Sequence, residues 1–129
     1  KELVITAGGE NVAPVPIEDK IKYGCPLISN VMLIGDNRKF LSVLVTLRVV
    51  INTDTLIPSK DIDPACKQVL SKAGVNSMNV DEVSKEESVK QMIQGAIDSY
   101  NRFAVSNAQR VQKFIILSTD KICHKTLNN

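Results

Sequence analysis

Lys1-Glu2-Leu3-Val4-Ile5-Thr6-Ala7-Gly8-Gly9-Glu10-Asn11-Val12-Ala13-Pro14-Val15-Pro16-Ile17-Glu18 opens the chain, and its order of residue types sets out a strand, a tight loop, a return strand and a helix. The apolar run at 3–5 feeds Thr-Ala-Gly-Gly-Glu-Asn, and a second apolar stretch reaches Pro16, where Ile17-Glu18-Asp19 begins the helix. Two adjacent glycines let the backbone take φ > 0 and expose its N–H groups. Such a pair serves either as the tip of a hairpin or as a close backbone approach to a ligand.

Working outward, Pro16 suits a first helical turn, Glu18 and Asp19 sit near the positive end of the helix dipole, and Gly24 stops the helix. An apolar strand covered on both faces is expected over 27–34, with Arg38 and Lys39 in the polar turn that follows. Those two cations are either solvated surface or a phosphate contact. A long strand over 40–51 then places Leu41, Val43, Val45, Leu47 and Val49 on one face, and the two strands read as a hairpin. Residues 52–60 read as a polar linker. Asp63 and Pro64 open a second helix that carries Cys66, Val69, Leu70 and Ala73 at helical spacing.

The longest periodic segment runs over 84–105, where Val89, Met92, Ile93, Ala96, Ile97, Tyr100, Phe103 and Ala104 step by three and four. A last strand over 112–117, apolar enough to be central, completes an α+β domain. Its expected fold is a small three-stranded sheet flanked by helices, with the N-terminal β-hairpin beside it.

Composition narrows the function classes. A net charge of +2 spread over 129 residues implies neither nucleic acid nor an anionic membrane as partner. No apolar run reaches the length of a membrane span. Cys25, Cys66 and Cys123 lack CxxC spacing and are odd in number, which favours reduced thiols. Cys123-His124 lacks the further ligands of a zinc site, so no metal site is expected. The chain begins with Lys, already inside a motif, as a fragment of a longer protein would.

The string quoted above closely resembles the segment that opens the small C-terminal domain of adenylate-forming enzymes: acyl-CoA synthetases, luciferases and peptide-synthetase adenylation domains. Gly8-Gly9-Glu10-Asn11, with Ile28-Ser29-Asn30-Val31-Met32-Leu33-Ile34-Gly35-Asp36, is similar to the long-chain, "bubblegum" type of acyl-CoA synthetase. The resemblance covers about residues 1–117, the expected domain; residues 118–129 form a divergent tail expected to be poorly ordered.

Several expectations follow from that resemblance. The full-length enzyme would be an AMP-forming fatty acid–CoA ligase using ATP, Mg2+ and coenzyme A, with a large N-terminal adenylating domain as partner, and the fragment alone would be inactive. Lys1 matches the hinge. Gly8, Gly9 and Glu10 match the loop that lines the pantetheine channel during thioester formation, while turn capping is the alternative for Glu10 and Asn11. The family's Pro-x-x-x-x-Gly-Lys loop, which carries the adenylation lysine, has no counterpart in Ser118–Asn129, so neither Lys121 nor Lys125 is assigned and no catalytic residue is assignable. The implied setting is cytoplasmic or the endoplasmic reticulum membrane surface. A non-catalytic, truncated interaction module is the competing reading.

Overall fold

A computed structural model of the protein describes residues 3–117. Lys1, the tail lysines Lys121 and Lys125, and the Cys123-His124 pair lie outside the described residues.

The opening segment folds as a short antiparallel hairpin, β1 (Val4–Ile5) with β2 (Asn11–Val12), followed by α1 (Pro14–Gly24). This helix starts two residues earlier than Pro16. Both prolines fall in the first turn, where a missing N–H leaves no bond unmade. Ile17 and Ile21 are its buried face, and Glu18 reaches sideways to accept the Leu33 N–H at 2.7 Å.

Leu33 belongs to β3 (Ile28–Ile34), which pairs antiparallel with β4 (Leu41–Leu47). The turn between them is closed by the Arg38 N–H donating to the Gly35 carbonyl at 2.9 Å, with Asn37 in the left-handed region at φ 57. Strand β3 is an edge strand, only half-buried at Val31 and Met32, so the expectation of cover on both faces fails. Its outward N–H at Leu33 is masked by the Glu18 carboxylate, one of the ways an edge is kept from pairing with another chain.

Strand β4 is the centre of the sheet, order β3-β4-β7, and β7 (Val111–Ile116) pairs with it in parallel. The last strand therefore occupies an edge, not the middle as its apolar run suggested, and Ile115 is 60% exposed. Leu41, Val43, Val45 and Leu47 form the predicted buried face of β4, packed with Ile21, Ile93 and Ile97 in the core.

The long strand expected over 40–51 breaks at Arg48, whose N–H donates to Leu27 and whose carbonyl accepts from Asp63. After the break, β5 (Val49–Ile51) pairs with β6 (Pro58–Ile62), so residues read as a linker form a hairpin. Polar composition concealed it because only Ile62 of β6 enters the core. Asp63 caps a 3₁₀ turn, Pro64–Cys66, by accepting the Ala65 N–H at 3.0 Å, and α2 (Lys67–Lys72) continues from it as expected.

The helix expected over 84–105 is shorter at both ends, α4 (Glu87–Asn101), and a separate helical turn not expected from the sequence, α3 (Val80–Val83), precedes it. The buried stripe of Val89, Ile93, Ala96, Ile97 and Tyr100 is as read, but the helix ends before Phe103, which is 71% exposed. No described helix is long and apolar enough to cross a membrane.

Two glycines make opposite demands on this packing. A Cβ at Gly35 would run into the side chains of Leu41 and Val4, whereas Gly95 on α4 faces open space. Gly35→Ala is expected to destabilise the fold by about 1–3 kcal/mol through overpacking. Gly95→Ala should stabilise it by roughly 0.5–1 kcal/mol. Urea denaturation of the two variants checks both signs.

Candidate functional site

The Gly-Gly loop is a closed turn with a defined frame. Thr6 donates its N–H to the Glu10 carbonyl at 3.0 Å and accepts the Gly9 N–H on its own carbonyl at 2.9 Å. The buried Thr6 hydroxyl accepts the Glu10 N–H at 3.1 Å. Gly9 has φ 85, a left-handed conformation that a Cβ would strain by roughly 1–2 kcal/mol, so the fold itself accounts for that glycine.

Gly8 is different. It lacks positive φ, it is exposed, and a Cβ there would meet only the Thr6 hydroxyl at 3.9 Å. Nothing within the described residues requires glycine at that position. The expectation of several free N–H groups is met only in part, because those of Ala7, Gly9 and Glu10 are all bonded within the domain.

Two neighbours hold the loop in place. On one side the β3–β4 turn is stitched to it: Ala7 N–H donates to Arg38 at 3.0 Å, Asn37 N–H to Ile5 at 2.9 Å, and Ile5 N–H to the Asp36 carboxylate at 3.0 Å. On the other side the Ser106 hydroxyl donates to the Glu10 carboxylate at 2.7 Å. Glu10 therefore braces the loop against a distant segment. Asn11 is exposed on β2.

That distant segment, 102–110, is itself pinned at both ends of its crossing. Tyr100 Oη donates to the Gln109 carbonyl at 2.6 Å, and the Asn101 side chain makes two bonds to Val111, accepting its N–H and donating to its carbonyl, each 2.9 Å. Between these anchors Phe103 lies under the Lys20 ammonium, 5.3 Å from its ring centroid, and Val105 is 83% exposed. Sequence reasoning absorbed Tyr100 and Phe103 into one helical stripe and missed this segment. The available signal was Asn101 followed by Ser106-Asn107, side chains that favour helix ends and turns.

Acid–base and nucleophilic chemistry find little here. Cys25 and Cys66 are buried and free of disulfides, as expected. Burial pushes both thiols up from the ordinary 9.0, and at Cys66 the Asp63 charge adds to it. Among the described residues no group of three or more His, Cys, Asp or Glu side chains is placed to hold a metal. What the site offers is a compact backbone loop, braced on two sides, beside exposed apolar groups.

Comparison with known proteins gives this geometry its context. The family model for the AMP-binding enzyme C-terminal domain matches residues 1–73. Long-chain-fatty-acid–CoA ligase ACSBG2 of Gallus gallus is 48% identical over 122 residues, covering 93% of this chain and 16% of that protein. Long-chain-fatty-acid–CoA ligase ACSBG1 of Homo sapiens is 43% identical over 122 residues, 93% of this chain and 17% of that one. The chain thus spans about a sixth of the length of the curated relatives it matches. Among solved structures, the A domain of carboxylic acid reductase from Segniliparus rugosus, in complex with AMP and a co-purified carboxylic acid, shares the fold. It has a TM-score of 0.54 and 21% identity, over 92% of this chain and 14% of that chain.

Two outcomes test the local physics. Asn101→Ala leaves both the N–H and the carbonyl of Val111 without their partner, and should cost roughly 1–3 kcal/mol in chemical denaturation. The raised thiols make a second expectation. Below the unfolded value of 9.0 the thiols are protonated in both states and contribute no pH dependence. As pH rises from there toward the folded values only the unfolded state loses protons, so stability should fall. Denaturation midpoints from pH 8 upward check the slope, which Cys25→Ser/Cys66→Ala should reduce.

Proposed function

The chain belongs to the AMP-binding enzyme C-terminal domain family, and from that premise we propose that it acts as the mobile small domain of a long-chain fatty acid–CoA ligase. Such an enzyme joins a carboxylate to ATP, giving acyl-adenylate and pyrophosphate; the coenzyme A thiol then attacks the acyl carbonyl and AMP leaves. On this reading ATP, Mg2+ and the acyl chain belong to the large domain, and Lys1 is the hinge about which this domain turns between the two steps.

The observation that carries the proposal is Gly8. An exposed glycine that its own fold does not need is explained by something outside the domain that comes too close for a side chain. The pantetheine arm of coenzyme A is that partner in the proposal, and the Thr6–Glu10 closure with the Glu10–Ser106 brace keeps the loop rigid against it. Glu10 acts here by positioning the loop. The domain alone makes no acyl-CoA on this reading, because it supplies a wall of the channel and no reacting group.

The test uses the chicken ligase with residues 1–117 of this chain grafted in place of its matching segment, the relative's own C-terminus being kept. Gly8→Leu in that enzyme should slow conversion of a supplied acyl-adenylate to acyl-CoA about a hundredfold, the scale of a misplaced reacting group. Pyrophosphate exchange and the thermal midpoint should stay within error. Equal loss in both half-reactions would sink the channel role.

A further inference from the structure

We propose that the open end of the outer sheet face is the seat of an acidic, apolar segment of the large domain, an inference that rests on the two-domain reading above. Register puts Ile34, Ser42, Leu44, Lys113 and Ile115 on one side of the sheet, since Ile34 pairs with Ser42, Ser42 with Lys113 and Leu44 with Ile115. That side is the reverse of the one through which Leu33, Val43 and Val45 enter the core.

The two ends of this face are treated differently. Toward the end of β7, Val80 of α3 and Ser84 just after it approach Ile115–Leu117, and nearby Thr46 is 5% exposed. At the other end the face is bare. There a groove of about 570 Å³ runs between the strands and the β3–β4 turn, floored by Ile34, Phe40, Leu44 and Ile115.

Its rim is cationic. Arg38, Lys39 and Lys113 line it, with Lys113 Nζ 5.3 Å from the Phe40 ring centroid, and no carboxylate lines it at all. Among the described residues the only ion pair, Lys60–Asp81, lies elsewhere, so Arg38, Lys39 and Lys113 have no acidic partner among those residues. An apolar floor under unpaired cations selects an occupant that brings both apolar side chains and carboxylates.

Position and size favour the large domain as that occupant. The turn bearing Arg38 is bonded to the Gly-Gly loop through Ala7, so the groove and the loop adjoin at the same end of the domain. Some five-sixths of each matched relative is chain that this domain does not contain, and an apolar groove rimmed by cations is complementary to an acidic, apolar segment of it.

Ser42, a polar residue on the groove floor, gives the handle for a test. In the grafted ligase, Ser42 is replaced by p-benzoylphenylalanine, and the photocrosslinked peptide is identified by mass spectrometry. The expected product joins Ser42's position to a large-domain peptide that carries Asp or Glu among apolar residues. Its yield should fall at least about tenfold in Arg38→Glu/Lys39→Glu/Lys113→Glu, whose thermal midpoint is measured alongside. Crosslinking to a neutral or basic peptide, capture of phosphatidylserine from added vesicles with no large-domain product, or a yield indifferent to charge reversal would each overturn the proposal. Gly8→Leu should leave the crosslink intact. If Gly8→Leu also spares acyl-adenylate conversion while the crosslink forms, the channel reading falls and the docking surface stands.

Discussion

Parallel pairing of β7 with β4 is the constraint on which the rest of the structure depends. Because the pairing is parallel, Val111 lies beside Leu41, at the end of the sheet where β4 begins and where the β3–β4 turn sits. A crossover is obligatory for such a pair, and here it runs through β5, β6 and three helices before returning. Its last segment, 102–110, is thereby delivered to the same end as the Gly-Gly loop. An antiparallel last strand would have sent it to the opposite end, leaving Glu10 without Ser106.

Burial and hydrogen bonding then divide the work between two regions of the molecule. One cluster of apolar side chains joins the sheet, α1, α4 and the 48–86 segment, and it contains both described thiols. The loop end is held mainly by directional bonds: the Thr6 turn, the Asp36 carboxylate on Ile5, the Asn101 clamp and the Glu10 brace. Hydrogen bonds of this kind contribute about 1 kcal/mol each and fix geometry more than they add stability. A wall of the kind proposed for this loop requires that order.

How far the residues disclosed this depended on what each segment's neighbours were. The β3–β4 hairpin, the β4 face and the α4 stripe were legible because apolar period alone decides them. The β5–β6 hairpin was not, since its pairing is made by backbone groups and, Val49 and Ile62 apart, its side chains stay out of the core. Edge and centre were exchanged for β7, because an apolar run records only that a strand is covered, and Phe114 and Ile116 are half-buried there against the core. The helix end at Asn101 was hidden by Phe103, which keeps the period after the helix has stopped. Glycine identity pointed to the loop at 8–9, but the separation of a glycine demanded by φ from one the domain leaves unexplained needed the backbone angles.

The brace between Glu10 and Ser106 joins positions 96 residues apart, almost the full span of the domain. During synthesis the opening hairpin leaves the ribosome long before Ser106 and the Val111–Ile116 strand exist, so its loop has no brace until nearly the whole domain has been made. Contacts of such sequence separation close late and make folding slow, because the chain loses its loop entropy before the contact repays it. The loop is thus translated well before the segment that braces it, and a nascent or prematurely ended chain would display Gly8 and Gly9 without the Ser106 contact that holds Glu10.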